Sequence, residues 1–103
     1  MNQHLHIADA RRKNIRWRIL AVCDSSRDIR LSEQIVLQVL SEPDLNVSPA
    51  ELRKEASFLA KKGLIQIDTD KGEQLFSITA YGVEYVEYDV ADIKSIGRPP
   101  KYF

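Results

Sequence analysis

Residues 48–65, "SPAELRKEASFLAKKGLI", fix the start, length and end of one helix, and the rest of the chain must be built around it. Ser48 can accept hydrogen bonds from the exposed amides while Glu51 reaches back, the pairing of a capping box. Pro49 falls at the first helical position, where its missing N–H costs nothing. Val47 and Leu52 have the separation of a hydrophobic staple. Gly63 suits the left-handed position that ends a helix, with Lys61 and Lys62 facing the negative end of its dipole. These signals predict a helix over 49–62 that runs into a strand.

A 103-residue chain, 44% hydrophobic and 29% charged, is one small domain whose core has little stability to spare. No apolar run reaches membrane-spanning length and no signal-peptide pattern is visible, so the expected location is cytoplasmic, with no membrane partner. Cys23 is the single cysteine, which excludes an internal disulfide and argues against a cysteine metal site. His4 and His6 in the N-terminal segment are poor metal-site evidence on their own. No cofactor is expected.

Residues 1–8 read as a flexible N-terminus, residues 9–93 as the folded domain, and residues 94–103 as an extended basic tail. A first helix is predicted over Asp9–Asp24. Ile15, Ile19 and Val22 share one of its faces with Cys23 beside them, while Trp17 and Leu20 project elsewhere. Such a helix is either central to the core or meets a partner subunit with its second side. After a short extended segment, Ile29-Arg30-Leu31, Ser32 caps a second helix that Pro43 halts; Ile35, Val36, Val39 and Leu40 are its expected inward face. Beyond the capped third helix, Leu64–Ile67 and Leu75–Ile78 form a hairpin around Lys71-Gly72. Thr79 caps a last helix from Ala80 to about Asp89, with Val83 and Val86 inward and Gly82 a weakness in its first turn.

This order is the layout of an α+β winged helix-turn-helix, a three-helix core with a two- or three-stranded antiparallel wing, a C-terminal helix and an extended tail. The segment "AELRKEASFLAKKGLIQID…LFSITAYGVEYVE" resembles the recognition-helix-to-wing portion of bacterial winged-helix regulators. Leu52, Ala56, Leu59, Gly63, Leu64, Ile65, Thr79 and Gly82 carry that likeness, which extends over residues 15–90. The short length and Arg-Pro tail resemble small winged-helix proteins of Mu-like phages and prophages. The resemblance implies double-stranded DNA as partner and a transcriptional regulator as the role.

With Leu52, Ala56 and Leu59 inward, about 100° per residue turns Ala50, Arg53, Lys54, Ser57 and Lys61 outward. Arg53 is the expected guanine reader, and Lys54, Ser57 and Lys61 suit phosphates. Arg11, Arg12, Lys13 and Arg16 are candidate backbone contacts from the first helix. The wing argues the other way: "DTDKGEQ" sets Lys71 among Asp68, Asp70 and Glu73, a combination that repels phosphate. Zero net charge hides this patterning, with +4 over residues 1–30 and −6 over 63–93. The tail, at +3, includes Gly97-Arg98-Pro99, which resembles the centre of an AT-hook, although Ile96 stands where that motif has its first arginine. Arg98 is thus a candidate minor-groove contact, and if the tail reads a groove, deleting residues 95–103 leaves the fold stable. The favoured reading of the tail is nevertheless a mobile end or a strap over the domain, since proline-rich ends usually only link or stay disordered.

The alternative function is a protein-interaction winged helix in phage development or assembly, homodimeric or bound to a phage or host protein. Trp17, Leu20 and Phe58 are its candidate contacts, although Phe58 is better explained as packed under the wing strands. Catalysis is not expected, because phosphate loop, zinc-protease motif and paired nucleophile are all missing.

Overall fold

The structure, a computed structural model, describes residues 3–43 and 45–101, with side chains from His6 onward. Its elements run α1 (Gln3–Asp24), β1 (Leu31–Ser32), α2 (Glu33–Val39), α3 (Pro49–Lys61), β2 (Ile65–Asp70), β3 (Glu73–Ile78) and α4 (Ala80–Val86). The strands form one antiparallel sheet in the order β1-β3-β2.

The local signals around α3 act together. Ser48 Oγ accepts from the Glu51 amide at 3.1 Å. At the other end Gly63 takes φ +78°, its amide bonds Ala60 O at 3.0 Å, and the Leu64 amide bonds Leu59 O at 3.0 Å. That pair of bonds is a Schellman motif, and it aims the chain directly into β2. Two residues, Lys71 (φ +51°) and Gly72 (φ +81°), then turn β2 into β3 in register, with Asp70 opposite Glu73. Two positive φ angles make this a turn whose twist matches that of the strands. On the far edge of β3, Leu31 pairs with Phe76 and Ser32 with Leu75. Ser32 also caps α2 through the Ile35 amide, so one residue ends a strand and starts a helix.

Glycine at position 82 is required by packing. The Thr79 hydroxyl caps α4 by accepting from the Gly82 amide at 3.0 Å, and it donates to Gly63 O at 2.6 Å. This seats α4 against the end of α3 so closely that a Cβ on Gly82 would lie 2.1 Å from Leu64 O.

Helix α1 begins at Gln3, six residues before the sequence places it. Asp9 has the look of a cap, yet it lies inside the helix and pairs with Lys13 at 3.2 Å, one turn on. Ile15, Ile19 and Leu20 are fully buried, and Trp17 meets Tyr85 of α4 edge-to-face at 6.4 Å between ring centres. Both sides of α1 are therefore covered from within the chain.

Two expectations change, and a third is decided between its alternatives. Of the four side chains expected inward around α2, Val36 and Leu40 are buried, whereas Ile35 and Val39 are 49% and 54% exposed. A two-turn helix touching its neighbours along one side buries one residue per turn, and its other inward position is taken by Glu33. Helix α4 stops at Val86, and its buried side chain is Tyr85, with Val83 and Val86 half-covered. The segment after α4 is a strap across α1. Ile96 is buried in the core, the Gly97 amide bonds Lys13 O at 3.0 Å, and Tyr88 donates to Pro99 O at 2.6 Å.

Candidate nucleic-acid interface

The outward strip of α3 forms as the helical arithmetic requires. Ala50, Arg53, Lys54 and Lys61 are exposed and Ser57 is half-buried, while Leu52, Ala56 and Leu59 lie beneath. Lys54 and Lys61 enter no salt bridge among the described residues. Beside this strip, two depressions of about 350 and about 260 Å³ share Lys54 and Glu55 and make one furrow between α1 and α3, from Arg12 to Lys61.

Two buried carboxylates lie beside the furrow and strip, and the sequence reading does not single them out. Glu55 is almost fully buried on the flank of α3, where it accepts from Arg16 Nε at 2.8 Å. Glu33, at the start of α2, closes on Arg53: Nε meets Oε1 at 2.5 Å and Nη2 meets Oε2 at 3.0 Å. A signal for Glu55 exists in the helix register, since it lies only about 60° from the inward direction set by Leu52, Ala56 and Leu59. Glu33 has none, because its burial depends on how α2 meets α3.

The arginines of α1 divide by position. Arg11 forms a bidentate pair with Glu51 through two bonds of 2.8 Å. That guanidinium, with the Ser48 amide, holds the Glu51 carboxyl below its ordinary range. Arg12 lies at the open end of the furrow, partly exposed and only loosely paired to Asp9 at 3.5 Å. Lys13 is held by the same aspartate. Arg16 is spent internally: besides Glu55 it donates to Ser95 O at 2.9 Å, and its guanidinium lies 3.7 Å over the Phe58 ring. Phe58 packs against the core as expected, and its ring is covered by Arg16, with Lys62 Nζ 5.5 Å from the ring centre.

Arg98 is also used within the fold. Only 12% of its side chain is exposed. Its guanidinium lies 4.5 and 4.6 Å from the ring centres of Tyr85 and Tyr88, and Nη1 donates to Tyr85 O and Val90 O at 3.1 and 3.0 Å. An arginine buried this way has no fork left for a minor groove. At the β2–β3 turn Lys71 is exposed between Asp70 and Glu73, and Asp68 is 3.7 Å from Arg30. The furrow and the strip beside it therefore hold Arg12, Lys54, Ser57, Lys61 and the solvent side of Arg53, without Arg16 or Arg98.

Cys23 is buried, and desolvation pushes its thiol up to about 12, which keeps it neutral and inert. Among the described residues no group of three or more His, Cys, Asp or Glu side chains is placed to hold a metal. The side chain of His4 lies outside the described residues, and no described helix is long and apolar enough to cross a membrane.

No family model, curated protein or solved structure matches this chain.

Proposed function

We propose that this chain is a winged helix-turn-helix protein of the cytoplasm that binds double-stranded DNA and serves as a regulator of the phage or bacterial kind. In this reading α3 is the recognition helix, and β2, β3 and their turn are the wing. The element order and the β1-β3-β2 sheet support the fold assignment. The observation that carries the function is the strip of α3, where Arg53, Lys54 and Lys61 are exposed and the two lysines are free of salt bridges among the described residues. Lysines on a rigid helix suit phosphates, and Arg53 faces the same way for a base edge. The acidic wing tip stays off the duplex.

The test is fluorescence anisotropy with random-sequence duplexes across a salt series. With Arg12, Lys54 and Lys61 each meeting a phosphate, the logarithm of affinity should fall with the logarithm of salt at a slope of about −3. No binding at low salt sinks the DNA reading.

A protein-interaction role is the second reading, favoured by Ile35 and Val39, which lie one turn apart on α2 and half-exposed. Sedimentation that finds dimers at micromolar concentration, dispersed by Val39→Glu, would support it.

A further inference from the structure

The contact between Glu33 and Arg53 uses a particular half of the guanidinium. An arginine has two forks of parallel N–H groups, the side fork of Nε and Nη2 and the end fork of Nη1 and Nη2. Glu33 occupies the side fork, Oε1 on Nε at 2.5 Å and Oε2 on Nη2 at 3.0 Å. Arg53 makes no other hydrogen bond among the described residues. Its side chain is 56% exposed, whereas that of Glu33 is 8% exposed. The carboxylate is thus the fixed partner, anchored in the first turn of α2, and the guanidinium plane is locked to it with the end fork left over for solvent.

The end fork is the one that matches O6 and N7 of guanine in a major groove. A free surface arginine must give up many rotamers to make that contact, whereas one already held by a bidentate carboxylate has little left to lose. We propose that Glu33 is a positioning residue: it presents the end fork of Arg53 to a guanine at one defined place in the bound duplex. This rests on the DNA-binding reading and extends it from affinity to sequence preference.

The experiment uses the full chain and a duplex selected from a randomised pool. Each guanine of that duplex is replaced in turn by 7-deazaguanine, which lacks the N7 acceptor. One position should weaken wild-type binding by roughly 5-fold or more, since it removes one of the two acceptors of a bidentate contact worth roughly 5- to 150-fold in all. At that position Arg53→Lys should lose the discrimination, since an ammonium has no planar fork. Glu33→Ala should reduce the discrimination several-fold while binding to random duplex at low salt stays within about twofold, and Glu33→Gln, which keeps one acceptor, should fall between. Melting curves check that each variant folds, and if Glu33→Ala does not, Glu33→Gln and Arg53→Lys still decide. Unchanged discrimination in Glu33→Gln or Arg53→Lys overturns the proposal. So does uniformly tighter binding to every duplex by the Glu33 variants, because Glu33 then only masks charge. A wild type that binds no duplex at all removes the DNA reading itself, an outcome distinct from either of these.

Discussion

The strap over α1 and the outer strip of α3 are both basic in sequence, yet their cations do opposite things. Arg98 of the strap is sealed between two tyrosine rings and gives its hydrogen bonds to two backbone carbonyls. Lys54 and Lys61 of α3 stand in solvent and enter no salt bridge among the described residues, and Arg53 keeps one of its two forks open. Charge by itself therefore says little about function. What separates a fastening from a contact surface is how many of a cation's donors the fold has already used.

The sharpest way to break this comparison is to remove the strap's apolar anchor. Ile96 is buried against the core, so Ile96→Ala should destabilise by about 2–5 kcal/mol, the usual cost of emptying a core site. Deleting residues 95–103 should lower the melting temperature at least as far, since it also takes away the Ser95 carbonyl that holds Arg16. This is the outcome of a strap, and it is the opposite of what a groove-reading tail requires, whose deletion leaves the fold stable. An unaltered melting curve for either variant would return residues 95–101 to the status of a loose basic tail.

Arg98 gives the next largest effect. A charged donor to buried carbonyls contributes about 1.5–3 kcal/mol, and Arg98→Ala should cost that much in thermal or urea unfolding. Arg98→Lys should recover less than half of the loss, because lysine cannot set a plane between the Tyr85 and Tyr88 rings. Full recovery by lysine would mean that the site needs charge alone.

These outcomes bear on why some of the molecule is legible from sequence. The caps at Ser32, Ser48 and Thr79, the Gly63 stop and the Lys71-Gly72 turn are decided within a few residues, and each forms where the sequence puts it. The outward strip of α3 follows from the same local geometry. Burial of Ile96 depends on a segment without periodicity folding back more than 80 positions to meet α1 (its neighbour Gly97 bonds Lys13), and no local pattern announces that. The orientation of Ile35 and Val39 depends likewise on which side of a two-turn helix meets its neighbours. Tyr85 escapes notice because a tyrosine reads equally well as surface or core, and only its hydroxyl bond to Asp92 at 2.6 Å explains how the polar end is accommodated. Arg98 is the instructive case: its flanking prolines suggest a groove-binding tail, while its real partners lie 8–13 residues upstream.

The smallest effects on stability should come from the α3 strip, and they sharpen the comparison most. Lys54→Ala and Lys61→Ala remove exposed side chains that enter no salt bridge among the described residues, so each should change stability by no more than about 0.5 kcal/mol. If these lysines meet phosphates, each substitution should reduce the salt slope of duplex binding by about one, and the double variant by about two. Lys71→Ala at the wing tip is the matched control. It is equally exposed, but it sits between Asp70 and Glu73, whose charges repel the backbone that a lysine would seek. Its slope should therefore match that of the wild type. A slope that falls for Lys71→Ala and holds for the α3 variants would exchange the roles of helix and wing, because it would put the phosphates at the hairpin in spite of its acids.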